Sequence, residues 1–324
     1  MKKAQFFYLL RRGFFAGGGG EWSTLVNAFK TRVLADGGTL ESESCIRDDV
    51  KYLIQNPEPV AFTGLLNDYS GAAAAYSLRL LDNTYTGNAI KVRRASDNAE
   101  QDIAFSNNEL DTATLETFAS GTDAFVTTWY DQSGNGVNAT QTTASVQPQI
   151  VSSGSTILQD GKPIVDTSSA IHYMELDGFA FSSLSIFITA TYDNGATEGI
   201  FISGGEDSTD RWDYGPRTTS DYRFLLEESN NDERISSNDN YKDGVRRLFT
   251  ADYTHIGVNG SNVATGSLST PIPVYANGWR LSGRFFGSYV AASNKFQEVI
   301  LYDSDQSSNR TGIETNINDF YSIY

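Results

Sequence analysis

The sequence predicts a mainly β protein: a sandwich or jelly roll with a short α-helical segment at the N-terminus and a single helix at the C-terminus. Three observations carry that expectation. In the stretch 184–192, Leu184, Ile186, Ile188, Ala190 and Tyr192 alternate with Ser185, Thr189 and Thr191, the period of two that turns one strand face toward a dry core. Short β-rich runs succeed it at close intervals without interleaved helices, at 199–203, 222–228, 247–253, 255–258, 262–266, 279–285 and 296–302. Between two of them stands Asn259-Gly260, a two-residue hairpin signal, with a longer 259–262 loop as the alternative.

Taken in order, the chain begins with a cationic, aromatic arm. Lys2, Lys3, Arg11 and Arg12 are accompanied by no acid, and Phe6, Phe7, Phe14 and Phe15 precede four consecutive glycines at 17–20. Such an arm is costly to leave in water and reads as docked on a partner, or else folded back on its own domain. The apolar run 4–10 does not read as a signal peptide, because Arg11-Arg12 interrupts it and no small-residue cleavage site comes after. Trp22, Leu25, Val26, Phe29 and Val33 then recur at helical spacing up to Asp36-Gly37-Gly38, and Cys45, Ile46, Val50, Leu53 and Ile54 repeat the pattern up to Asn56-Pro57. This helical hairpin is too small to bury both of its stripes and must pack on the sandwich or on a neighbouring subunit. The expected division is residues 1–60 for arm and hairpin and 61–324 for the sandwich.

The stretch 75–150 organises the sandwich. An apolar strand at 125–130 runs into Asp131-Gln132-Ser133-Gly134-Asn135-Gly136, residues that bond their own backbone or accept positive φ. At the far end Ile313, Ile317, Phe320, Tyr321 and Tyr324 fall on one face of a closing helix.

Composition bounds the function. The 324 residues carry a net charge of −16, and a body so acidic repels phosphate backbones and anionic lipid, so neither nucleic acid nor membrane is an expected partner. The single cysteine, Cys45, excludes an internal disulfide, and with only His172 and His255 besides, no metal and no cofactor is expected. No run reaches the roughly 18 apolar residues of a membrane-spanning helix.

Two resemblances arise from the residues themselves. Ala75-Tyr76-Ser77-Leu78-Arg79-Leu80-Leu81, Tyr85-Thr86-Gly87, Ile90-Lys91-Val92-Arg93-Arg94-Ala95-Ser96-Asp97 and the 128–141 turn together resemble the start of the catalytic domain of B-type α-L-arabinofuranosidases, a concanavalin A-like β-sandwich. The same stretch, the 25–38 segment and the laminin-G-like ending at 296–321 also resemble virion proteins of tailed bacteriophages. The first resemblance implies a nucleophilic glutamate soon after a strand, a role that falls to Glu206 after 199–205. It also implies vicinal cysteines against the sugar, which are absent, and an acid/base aspartate, for which no segment can be matched.

Without chemistry, a sugar site needs an aromatic face and a few carboxylates. Trp212, Asp213 and Tyr214 with Glu206 and Asp210 form the densest such cluster, the alternative being aromatics that cap a sheet edge beside a solvated acidic loop. Calcium is a further reading of those oxygens, although Asp207, Asp210 and Asp213 lack EF-hand spacing. Asp131 either faces a ligand or holds its turn.

The missing disulfides and signal peptide weigh toward the virion resemblance. The expectation is a non-enzymatic structural component of a phage particle (tail, head-fibre or capsid decoration) assembled in the host cytoplasm and oligomeric there. Its N-terminal segment (Phe6, Phe7, Arg11, Arg12, Phe14, Phe15, Trp22, Phe29) would bind other virion proteins, and its sandwich would bind host-surface carbohydrate. The alternatives are a glycoside hydrolase of α-L-arabinofuranosidase type and a bacterial surface lectin.

Overall fold

The computed structural model describes residues 62–324 except 169–171, 177–182, 193–198, 206–210, 218–222, 229–232, 240, 242, 269–277 and 285–293, and it describes the backbone alone at 217, 223–228 and 233. The chain divides into Met1–Phe62 and Thr63–Tyr324. The arm and hairpin expected at 1–60, with all eight residues expected to bind a partner, lie outside the described residues.

The described part is a β-sandwich. One layer runs Ser261–Thr265, His255–Val258, Arg247–Asp252, Ser185–Tyr192, Asn294–Tyr302, Ala72–Ser77, every neighbour antiparallel. The other runs Glu100–Ile103, Ile90–Arg94, Ala124–Trp129, Ala139–Thr140, Met174–Leu176, Trp279–Leu281, Ile202–Gly205, Arg211–Arg217, Arg223–Glu228, Glu233–Ser237, also antiparallel. The two-residue strand Val165–Asp166 pairs with Asn294–Tyr302 on one side and Gln149–Ser152 on the other, which joins the layers. Between them Phe201 meets Phe249 at 4.8 Å and Phe296 at 6.0 Å between ring centroids.

The strand Ser185–Tyr192 corrects the expectation of one dry face: all eight of its residues are buried. Ile186, Ile188 and Ala190 enter the inter-layer core. Phe187, pointing the other way, joins a second cluster with Leu248, Ile300, Ile313, Ile317 and Tyr321. The closing helix, Arg310–Tyr321, covers that outer face, and each isoleucine it buries contributes about 1.5–3 kcal/mol. Tyr324 lies beyond the helix and is exposed. A second helix, Thr112–Ala119, interrupts the strands where none was expected; the Asp111 carboxylate caps it by accepting from Thr114 N at 3.0 Å.

Local turn chemistry is where sequence and structure agree most closely. Asn259 (φ 51°) and Gly260 (φ 77°) are both left-handed and Val258 pairs with Ser261, so the shorter, two-residue hairpin forms. In the 131–138 turn, Gly134 and Gly136 take φ of 89° and 75°. Asp131 Oδ1 accepts from Ala75 N at 2.8 Å and Ser133 N at 2.9 Å, while Oδ2 accepts from Ser133 Oγ at 2.7 Å and Val137 N at 3.1 Å. Gln132 comes next, taking Leu81 N on its carbonyl and giving its amide to the Ser77 and Arg79 carbonyls. The turn is a clamp on the first strand of the sandwich.

Candidate active site

The strand Ile202–Gly205 lies mid-layer, hydrogen-bonded to Trp279–Leu281 on one side and Arg211–Arg217 on the other. Residues directly opposite in antiparallel strands share a face. The register therefore aligns Glu175, Arg280, Ser203 and Asp213 in one row across four strands. The next row, Leu176, Trp279, Gly204 and Trp212, faces the core, where the two indoles meet edge-on at 5.5 Å.

The polar row is graded from dry to wet. Asp213 has no exposed surface, Arg280 is nearly buried, and the Glu175 side chain is 52 % exposed. Asp213 Oδ1 accepts from Ser203 Oγ at 2.7 Å; Oδ2 accepts from Arg211 Nε at 3.0 Å and Arg284 Nε at 2.9 Å. Two guanidiniums around one dry carboxylate offset the cost of burying it and hold both cations in place. A carboxylate so engaged is an anchor and not a proton shuttle. Farther along, Arg280 donates through NH1 to the Arg284 carbonyl at 2.9 Å, approaches Glu175 Oε1 at 3.4 Å through NH2, and stacks its guanidinium on the Tyr173 ring at 3.8 Å.

Of the expected sugar-binding cluster, the described residues Trp212, Asp213 and Tyr214 divide between the two faces of their strand. Trp212 and Tyr214 are fully buried and belong to the inter-layer core, so the ring face expected of them is not available to a sugar. Burial pushes the Tyr214 hydroxyl well above the usual phenol range. Asp213 is a buried anchor, and Asp131 holds its own turn, on elements outside this row. Glu206 and Asp210, like Asp207, lie outside the described residues; Glu206 comes directly after Gly205, where the central strand ends. Arg280, Arg284, Ser203 and Glu175 were not singled out from the sequence, because only the strand register brings them together.

His172 packs edge-on to Phe125 at 6.4 Å, and burial depresses its pKa against a weaker opposing pull from Asp166. His255 pairs with Asp252 at 2.7 Å in the other layer. Among the described residues, no three His, Cys, Asp or Glu side chains converge to hold a metal ion, and no helix is long and apolar enough to cross a membrane.

Comparison with known proteins adds the family context. Residues 68–209 match the family model described as α-L-arabinofuranosidase B, catalytic. No curated protein matches the chain. Two solved structures align over 76 % of this chain at 16 % identity with a TM-score of 0.50: a mutant GH54 α-L-arabinofuranosidase soaked with 4-nitrophenyl α-L-arabinofuranoside, and a GH54 α-L-arabinofuranosidase soaked with a cyclic sulfate inhibitor. The aligned region spans 62 % of each of those chains, and at this identity the likeness establishes a shared fold.

The family match overturns the expectation of a structural virion protein and, with it, the expected non-enzymatic role, the tail and capsid assignments and the location in a phage particle. The weight laid on absent disulfides was misplaced, since packing across two layers stabilises this sandwich without them. What the chain carries over residues 68–209 is a segment similar to the catalytic domain of α-L-arabinofuranosidase B, within a β-sandwich fold shared with GH54 α-L-arabinofuranosidases.

Proposed function

We propose that the chain is a glycoside hydrolase that releases α-L-arabinofuranosyl groups, with Glu206 as its nucleophile. The observation that carries this reading is the match of residues 68–209 to an arabinofuranosidase catalytic model, a span that runs through the strand Ile202–Gly205 and takes in the glutamate after it. A retaining glycosidase needs a nucleophilic carboxylate to attack the anomeric carbon and a second one, about 5 Å away, to protonate the leaving oxygen and later activate water. Asp213 does not serve as that acid, because Ser203, Arg211 and Arg284 occupy its oxygens. Asp207 and Asp210, nearest to Glu206 in the sequence, are the acids to vary first. Asp213 acts instead by keeping the strands on either side of Gly205 in fixed register.

The test is release of 4-nitrophenol from 4-nitrophenyl α-L-arabinofuranoside by the full chain. Activity should be present and should fall by about 10⁴-fold or more in Glu206→Gln, the scale on which losing a covalent nucleophile is felt. A correctly folded chain without activity on this substrate overturns the reading, and so does a Glu206→Gln variant that retains it.

A further inference from the structure

In the layer opposite the polar row, the outer sheet face meets the closing helix over a small cavity. Its floor is Ser185 and Phe187 on one strand, Thr250 and Asp252 on the next and His255 on the third, while Gln306, Ser307 and Arg310 form its roof. At about 10 Å³ it has room for the centre of one water molecule and little else. Two of these side chains each bury a polar atom that has no hydrogen-bond partner among the described residues, His255 Nε2 and Arg310 Nη2. One such atom is costly, and two lining the same cavity point to a ligand.

The chemistry of the two atoms selects it. Asp252 Oδ1 accepts from Thr254 N and Oγ1 at 2.7 Å each and from His255 N at 3.0 Å, and Oδ2 lies 2.7 Å from His255 Nδ1. Burial would raise the pKa of Asp252, but hydrogen bonds from His255 and Thr254 outweigh it and hold it below the ordinary value. A charged carboxylate can only accept, so Nδ1 carries a proton, and Nε2 of the neutral ring is a lone pair that needs a donor. Arg310 gives Nε to Glu314 Oε1 at 2.6 Å and Nη1 to Asn262 Oδ1, which leaves Nη2 a donor that needs an acceptor. Ser185 and Gln306 supply neither, being engaged with each other, Ser304 and Asn309.

The spacing agrees. His255 and Gly257 stand on one face of their strand, and a Cβ on Gly257 would lie 2.5 Å from Arg310 Nη2, so the bare glycine is where the guanidinium rests. The imidazole and the guanidinium are thereby set roughly 7 Å apart at the backbone, comparable to two hydrogen bonds end to end.

We infer that this cavity is a built site for one water molecule, which accepts from Arg310 Nη2, donates to His255 Nε2 and so ties the strand His255–Val258 to the closing helix. The ligand has to donate and accept at once. An anion cannot donate to the lone pair, and a cation is repelled by the guanidinium. Arg310 is already paired with Glu314 and Asp252 is close by, so the site has no surplus of positive charge to hold an anion. The assignment does not depend on the proposed hydrolase function.

The test uses the full chain at about pH 8, above the ordinary imidazole range. A high-resolution crystal structure should show one ordered water within hydrogen-bonding distance of both atoms, and crystals soaked in bromide should show no anomalous peak there. In solution, the His255 ring protons should show a nuclear Overhauser effect from a long-lived water, and that effect should be lost in Arg310→Met, which keeps the stem without the donors. Bromide in the cavity overturns the water assignment in favour of an anion. A direct bond between the two side chains, or a cavity without density, overturns the site altogether. An Overhauser effect absent from the wild type, or unchanged in a folded Arg310→Met chain, does the same; should that variant not fold, the wild-type crystals and spectra decide.

Discussion

Arg79 and Glu298, 219 residues apart, meet in a two-pronged ion pair beneath the closing helix, Nε to Oε2 at 2.7 Å and NH2 to Oε1 at 2.9 Å. Glu298 is fully buried and also accepts from Ser77 Oγ at 2.7 Å, while Arg79 donates to Asn316 at 2.9 Å and lies 4.8 Å from the Phe320 ring. Burial by itself would lower the pKa of Arg79, but the charge and hydrogen bonding of Glu298, with those of Tyr321, together outweigh it and hold the pKa above its ordinary value. The pair ties the first strand, the last strand and the C-terminal helix into one unit.

Removing one partner should therefore cost more than removing both. Glu298→Leu or Arg79→Met alone leaves a buried, uncompensated charge or donor set and should lower unfolding free energy by about 3–5 kcal/mol in denaturant titrations. The double variant should lose less than either single variant. Strict additivity would mean that the pair contributes nothing beyond its packing.

The turn clamp gives a second expectation. Asp131→Ala strips four acceptor contacts at once, three of them from backbone or side chain inside the turn and one from Ala75 N on the first strand. A loss of about 3 kcal/mol or more is expected, since each buried donor left unsatisfied costs about 1–3 kcal/mol. Thermal unfolding reads this directly, and a change below about 1 kcal/mol, the low end of that range, would show that water replaces the carboxylate.

Around the candidate active site, Asp213→Ala should strip Arg211 and Arg284 of their shared acceptor and leave two cations on a largely dry face. Destabilisation of about 3–5 kcal/mol is expected. Below the new melting transition, the proposed release of 4-nitrophenol should fall through kcat, because the strand leading into Glu206 loses its brace. Full activity in a folded Asp213→Ala protein would remove the anchor role.

His172 sets a pH expectation. Burial lowers its pKa below the ordinary 6.5, against a smaller raising effect of Asp166. The folded state binds fewer protons than the unfolded state, so this contribution to stability is fully present above pH 6.5 and is lost as pH falls through the depressed folded value. Unfolding free energy measured from about pH 7.5 downward should decline more steeply in the wild type than in His172→Phe. Parallel curves would assign the acid sensitivity to other groups.

The parts of the fold legible in the chain are those written in short repeats. Alternation marked 184–192, two residues of positive φ marked the 259–260 hairpin, Asp131 and its glycines marked the clamp, and spacing of three and four marked the closing helix. Each depends on neighbours within about one turn or one pleat, where side-chain direction follows from backbone geometry alone. The helix at 112–119 escaped notice because it buries only Leu115 and Ala119, too few for a periodic signal.

The candidate site was legible only as a neighbourhood. Trp212 and Tyr214 carry the right chemistry for a sugar, but strand register turns both inward. Register likewise sets Glu175 beside Arg280 and Ser203 beside Asp213, across gaps of 105 and 10 residues. Shifting any one of these strands by a single residue would exchange their faces.

Sequence alone determined that this chain makes a β-sandwich closed by a helix, because alternation and turn chemistry are local and survive whatever the strands later meet. Tertiary structure decided which face of each strand stayed wet, which carboxylate became a buried anchor and which stayed exposed to water. Those outcomes depend on pairing between segments far apart in the chain, and their free energy appears only once both partners have left water together.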